Sequence, residues 1–200
     1  MGVRPIAAVI TLSLLVLPVY FWNLNDLGLF NTQESIRVSV AREMQRAGEW
    51  IVPLRRGEVY IAKPPMVYWC QIGLANLRGT AVGEFELRLN AALWGWLGVI
   101  ATYFAARNML GSRIGCDETT APHPGTRWFD PAFWSAVALA VGVLYSQSAR
   151  VGELDVMLVA PVASAIACMN ASWRHMLLTG RVSWLCVTGA TAAACVAAAV

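Results

Sequence analysis

The chain has 200 residues, of which 58% are hydrophobic and 14% charged, with a mean hydropathy of +0.54 and a formal net charge of +3. Soluble domains are about 45–50% apolar and about 25% charged, so this composition excludes an ordinary water-soluble fold and points to a membrane protein. The small, scattered positive charge excludes a nucleic-acid binder, whose basic residues would gather on one face.

Residues 5–22 begin with a long apolar run, IAAVITLSLLVLPVYFW. It is longer than the apolar core of a signal peptide and ends without a small-residue cleavage site. It reads as a first transmembrane helix, with Tyr20 and Trp22 in an interfacial aromatic belt and Pro18 kinking the end. Residues 23–86 form a long loop. Within it, residues 31–48 predict an amphipathic helix. Asn31 serves as N-cap and Glu34 completes a capping box. Ile36, Val40, Met44 and Ala47 form the apolar stripe, and Gly48 is the stop. Residues 49–63 read as irregular, around Pro53, Gly57 and the pair Arg55–Arg56. Pro64 and Pro65 open a second interfacial helix that ends near Gly79.

Further spans are expected over 87–110, 131–148, 154–173 and 183–200, with polar linkers at 111–130 and 174–181. The last span is cut at Val200, so the chain is expected to be a fragment, the amino-terminal part of one membrane domain over 1–200. If the spans alternate, Arg4, Arg107, Arg113, Arg127, Arg174 and Arg181 flank one side, which the positive-inside rule places in the cytoplasm. The loop over 23–86 and the residues Arg150 to Asp155 then share the opposite face. The fold class is therefore an all-α, multi-pass integral membrane protein with a long extracytoplasmic loop carrying interfacial helices.

Cys70, Cys116, Cys168, Cys186 and Cys195 are odd in number and form no CxxC pair or Cys/His cluster. They read as apolar-like thiols, with no metal or cofactor implied. His123 and His175 fall in short polar linkers and make poor ligands or bases.

Three constellations carry chemistry. Glu34 reads either as a helix cap or as a general base with a tuned pKa. Lys63, stiffened by two prolines, reads as a snorkelling lysine or as a phosphate contact. Arg55 and Arg56 add to that contact or lie against solvent and anionic lipid. Arg150, Glu153 and Asp155 stand where a span begins. Acidic residues there are favoured by the helix dipole, and ionisable groups at membrane depth mark functional sites. Arg88 is expected to pair with Glu84 or Glu86.

The stretch LGLFNTQESIRVSVAREMQRAGEWIVPLRRGEVYIAKPPMVYW resembles the first extracytoplasmic loop of GT-C fold, polyprenyl-phosphate-dependent glycosyltransferases. The groups in question are the aminoarabinose (lipid A) transferases and the protein O-mannosyltransferases. The matching residues are Glu34, Ala41-Arg42-Glu43-Met44, Gly48, Trp50, Val52-Pro53 and Lys63-Pro64-Pro65 with Tyr68-Trp69. Arg88-Leu89 and Leu154-Asp155 match later motifs. Two positions depart from the pattern. Gln33 stands where the family has an aspartate, and Gln accepts no proton at neutral pH. Ala62 stands where some relatives carry a carboxylate, which argues against a metal there.

The resemblance implies a membrane glycosyltransferase of the inner (plasma) membrane. It would move a sugar from a polyprenyl-phosphate donor to a lipid or protein acceptor at the extracytoplasmic face. Catalytic roles fall to Glu34 and Asp155, and donor-phosphate contacts to Lys63, Arg55, Arg56 and Arg88. The expected partners are that donor, the acceptor and membrane lipids, without nucleic acid. The alternative is a catalytically degenerate or fragmentary membrane protein that binds lipid-linked substrate or partner helices. A transporter fits less well, because the polar residues gather at one face and not at the midplane.

Overall fold

A computed structural model describes residues 5–25, 32–111 and 130–199. Arg4, Asn31, Arg113, Cys116, His123 and Arg127 lie outside the described residues, so the Asn31 cap and part of the positive-charge count have no structural counterpart. The element order is α1 (Pro5–Phe21), α2 (Thr32–Ala47), β1 (Leu54–Arg55), β2 (Glu58–Val59), α3 (Met66–Arg78), α4 (Glu84–Gly111), α5 (Pro131–Val141), α6 (Val143–Val151), α7 (Asp155–Thr179) and α8 (Trp184–Ala199).

Apolar runs supply the long helices. By length and composition α4 and α7 can cross a membrane, and the bent pair α5–α6 makes a third candidate span. At 1.5 Å per residue, α4 is about 42 Å long and α7 about 37 Å, against a hydrocarbon core of about 30 Å. The apolar helices α1, 17 residues, and α8, 16 residues, are shorter. Along α1, Ile6, Ile10 and Leu14 point outward, as do Leu177 of α7 and Leu185 of α8. Such outward apolar surface suits contact with lipid.

The single span expected over 131–148 is instead two helices, bent by 57° at Gly142. Asp130 caps α5 by accepting from Ala132 N at 3.0 Å, with Pro131 in the first turn. At the bend, Tyr20 Oη of α1 donates to Ala140 O at 3.0 Å, and Tyr145 Oη donates to Gly95 O of α4 at 2.9 Å. The break releases backbone carbonyls, and a phenol on α1 takes up one of them. Close approach of α4 and α6 needs glycine: a Cβ at Gly95 would lie 2.8 Å from Ala149 Cβ.

The helices α4 and α7 run side by side in the same direction, Asn90 facing Met157 near the start and Asn108 facing Ala167 further along. Their packing with α1, α5 and α6 forms the main core, centred on Leu12, Val16, Tyr20, Val99, Tyr103, Ala136 and Met157. A second core joins α2 to α3 through Val40, Ala41, Met44, Tyr68, Ile72, Ala75 and Val82. Each large side chain there contributes roughly 1.5–3 kcal/mol by burial. The polar loop thus folds as a small layer seated on one end of the bundle.

Residues 49–63, expected to be irregular, contain a two-residue β-hairpin: Leu54 pairs with Val59, and Arg55 with Glu58. Arg56 and Gly57 have φ of +54° and +78°, the left-handed pair that tight hairpin turns require. Two backbone amides, Arg56 N and Gly57 N, each donate to the Glu43 carboxylate at 2.6 Å. The all-α expectation therefore misses one hairpin, stabilised from α2.

Gly152 ends α6 with φ +73°, and a Cβ there would lie 2.7 Å from Leu87 Cγ. Gly180 ends α7 with φ +66° and open space around it. Gly152→Ala should cost roughly 2–4 kcal/mol from left-handed strain plus overpacking, and Gly180→Ala only about 1–2 kcal/mol. Thermal unfolding of the two variants in detergent checks this; equal losses would remove the contribution assigned to Leu87.

Candidate functional site

The buried face of α2 is not the one that apolar periodicity selects. Val40 and Met44 are buried as expected, but Ile36 is only half-buried and Ala47 is exposed. In their place Glu34, Arg37, Val38 and Ala41 point inward. Two charges sit on this face because each finds a partner there, the condition for burying an ion.

Glu34, 0% exposed, pairs with Arg88, 2% exposed, at 3.5 Å, and Arg88 Nη1 donates to Leu24 O at 3.0 Å. Arg88 therefore does not pair with Glu84 or Glu86. Glu86 instead bonds Arg78 of α3, and the Arg88 side chain turns toward α2. One turn along α2, Arg37 Nη1 donates to Gly152 O at 2.6 Å, and Nη2 donates to Glu153 Oε2 at 3.2 Å. The Glu34–Arg88 pair ties the start of α2 to α4, and Arg37 ties it to the connection between α6 and α7. The first turns of α2 and the Arg150–Asp155 segment, far apart in sequence, so lie at one end of the bundle, joined through Arg37.

Within that segment each residue has its own part. Arg150 donates to Val19 O at 3.3 Å and to Trp22 O at 3.2 Å, closing the carboxyl end of α1. Glu153 receives Arg37. Asp155 opens α7, is exposed, and makes no hydrogen bond or ion pair among the described residues. The helix dipole favours its negative charge.

Lys63 is exposed just before Pro64–Pro65 and has no such partner among the described residues either. Arg55 lies over the Tyr60 ring, 5.6 Å from its centroid. Arg55 and Arg56 line a cavity of about 240 Å³ against Thr32, Ser35, Ile36, Ser39 and Glu43 of α2. They also line a more open one of about 440 Å³ with Glu58, Val59 and Tyr60. Lys63 lines neither cavity. The structure thus brings Glu34 and Arg88 together and sets Arg55 and Arg56 together, on opposite faces of α2.

Three further residues complete the interior: Arg37 and Gln71, which sequence reasoning did not single out, and Tyr68, which it named only as part of an aromatic motif. The Tyr68 hydroxyl, the Gln71 amide and Arg37 Nε are buried with no hydrogen-bond partner among the described residues. Burial pushes the Tyr68 phenol up to about 12; the nearby Tyr60 adds to the shift and the Arg37 charge opposes it. Tyr68 therefore stays protonated at neutral pH. Burial also pushes the Cys70 thiol up, against a hydrogen bond with Trp94, so Cys70 is no thiolate nucleophile at neutral pH. The sequence signals for this set were an arginine three residues after Glu34, on the same helical face, and the aromatic pair Tyr68-Trp69 after Lys63-Pro64-Pro65.

No family model matches the chain. It is 36% identical over 98 residues to an uncharacterized protein of Aquifex aeolicus, covering 49% of this chain and 19% of that protein. It is 32% identical over 107 residues to the undecaprenyl phosphate-alpha-4-amino-4-deoxy-L-arabinose arabinosyl transferase of Edwardsiella ictaluri, covering 54% of this chain and 19% of that one. The crystal structure of ArnT from Cupriavidus metallidurans bound to undecaprenyl phosphate matches with a TM-score of 0.68 and 25% identity. That match covers 92% of this chain and 30% of ArnT, so the chain spans less than a third of each of these relatives.

Removing one partner of a buried ion pair typically costs 3–5 kcal/mol, because the other charge stays behind. Arg88→Met should therefore lower stability by about that amount. Adding Glu34→Gln should recover part of the loss, giving a coupling of roughly 1–3 kcal/mol. Denaturation of both single variants and the double variant measures it; strictly additive losses would show that the pair is not coupled.

Proposed function

From a chain that carries the fold of a GT-C polyprenyl-phosphate glycosyltransferase over part of that family's length, we propose that the natural protein transfers a sugar from a polyprenyl-phosphate donor to an acceptor. The reaction takes place at the extracytoplasmic face of the inner membrane. The observation that carries this reading is the match over 92% of the chain to a structure holding undecaprenyl phosphate. Support for the orientation comes from Arg107 at the end of α4 and Arg174 near the end of α7, away from α2 and Asp155.

The chemistry asks for a base toward the acceptor and cations toward the leaving phosphate. Asp155, exposed at the head of α7, takes the acceptor proton. Lys63 stabilises negative charge growing on the departing lipid phosphate, with Arg55 and Arg56 as further cations near the same loop. Carboxylates nearby also favour oxocarbenium character at the sugar. Glu34 is enclosed by Arg88, so this pair acts by fixing the first turn of α2, not by touching phosphate.

Lys63 and Asp155 are exposed and make no ion pair among the described residues, so substituting them leaves the fold intact. In the natural full-length protein, Lys63→Ala and Asp155→Asn should each lower transfer from a polyprenyl-phosphate sugar by about 10²-fold or more. Unchanged turnover in both would refute these assignments.

One observation favours the second reading, a decayed site that binds lipid-linked sugar without transferring it. Gln33, exposed in the first turn of α2, stands where the family pattern has an aspartate. Under that reading the natural protein is inert and Gln33→Asp gives a large gain in activity. Under the primary reading the natural protein is already active and Gln33→Asp changes turnover by less than about tenfold. A radiolabelled sugar-transfer assay separates the two.

A further inference from the structure

The start of α2 and the start of α7 are more than a hundred residues apart in the chain, and one side chain joins them. Arg37 is 5% exposed. Its Nη1 donates to Gly152 O at 2.6 Å and its Nη2 donates to Glu153 Oε2 at 3.2 Å. Arg37 Nε makes no hydrogen bond among the described residues, so the directional bonding of this guanidinium goes to the α6–α7 connection. Gly152 and Glu153 stand three and two positions before Asp155. The connection has little other freedom: Gly152 is held in the left-handed region against Leu87, and Glu153 N donates to Ser148 O at 3.2 Å.

We propose that Arg37 is a positioning residue, which sets the direction in which Asp155 leaves the head of α7 by clamping Gly152 and Glu153 to α2. This rests on the reading of Asp155 as the group that meets the acceptor. A planar guanidinium suits the task because it reaches two acceptors on different groups at once; a lysine offers one point charge. The demand is geometric. A base must lie within hydrogen-bond reach of the proton it takes, and a misplacement of about 1 Å costs on the order of 10²-fold in rate.

The clamp is separable from the fold. The helix α2 is already held by its core with α3 and by Glu34–Arg88, and α7 is already packed along α4. Loss of Arg37 therefore loosens the junction and leaves both helices in place.

The test uses the natural full-length protein in lipid nanodiscs. Arg37→Gln should lower kcat by about 30–100-fold while KM for the lipid-linked donor stays within about threefold. Arg37→Lys should regain part of kcat, since one of the two acceptors is still reached. Glu153→Gln, which keeps the bond to Gly152 O, should lose about 3–10-fold. A second readout does not depend on turnover. Spin labels at Ser39→Cys and Leu158→Cys, in a cysteine-less background, should give a narrow distance distribution that widens with Arg37→Gln and not with Lys63→Ala. An unchanged kcat, or an unchanged distance distribution, in folded Arg37→Gln would overturn the proposal. If Arg37→Gln does not fold, Glu153→Gln decides by the same two readouts. If the natural protein transfers no sugar, the proposed function falls, and the distance distributions alone decide whether Arg37 sets this junction.

Discussion

The layout of this protein depends on how backbone carbonyls are satisfied where helices end near the edge of a bilayer. The last carbonyls of a helix have no partner within it, and water is scarce beside lipid. Three arginines supply the missing donors. Arg150 reaches Val19 O and Trp22 O at the end of α1, Arg88 reaches Leu24 O just beyond, and Arg37 reaches Gly152 O at the end of α6. Each donor comes from a segment distant in sequence, so each bond also fixes one element against another. Arg88 and Arg37 go further and meet the carboxylates of Glu34 and Glu153. The guanidinium fork makes this possible, since one side chain serves a carbonyl and a carboxylate together. The result is that α2, a polar helix in an apolar chain, is tied at its first turns to α4 and to the head of α7.

That arrangement divides the charges of the polar layer into two populations. Arg37, Arg88, Glu34 and Glu86 are buried, and each forms an ion pair. Lys63 and Asp155 are exposed and unmatched among the described residues. Glu34 is closed off from solvent, whereas Asp155 stands open at the head of α7. Burial therefore separates paired charges from unpaired ones among side chains that sequence alone groups as one set, and on the proposed reading the exposed ones meet substrate.

The share of this that was legible in the sequence follows from what periodicity registers. The apolar runs of α4 and α7 were plain, as were the glycines that stop α2 and α3. The order of motifs from Glu34 through Lys63-Pro64-Pro65 to Asp155 was enough to reach the glycosyltransferase fold. The buried face of α2 was not legible, because a rule that scores apolar residues places Glu34 and Arg37 outside. They turn inward only because Arg88 and Glu153 wait for them from α4 and the α6–α7 connection. Arg88 was assigned to Glu84 or Glu86 for the same reason, local spacing being visible and tertiary approach not. The hairpin at Arg56–Gly57 escaped notice because its usual signal, Asn-Gly or Asp-Gly, is absent. Its arginine is held at positive φ by the distant Glu43 carboxylate. The bend at Gly142 had a glycine to announce it, but the phenol that donates to Ala140 O lies on α1, over a hundred residues away.

The same logic bears on why Gln33 need not decide activity. It shares the first turn of α2 with Glu34, and that turn is fixed from below by Arg88. A glutamine in place of an aspartate removes a charge from the exposed side of the turn, adds one methylene, and leaves the clamp beneath untouched. Asp155 stands on a different helix, joined to this turn through Arg37, Gly152 and Glu153. On the proposed reading, the site carries its acid–base group on α7 and its supporting bonds on α2. Under the proposed function, a missing carboxylate on α2 would weaken the field around the acceptor without displacing Asp155. Preorganisation of the kind that catalysis needs is a property of the supporting bonds as much as of the reacting group. In this chain those supporting bonds are present at both ends of the junction.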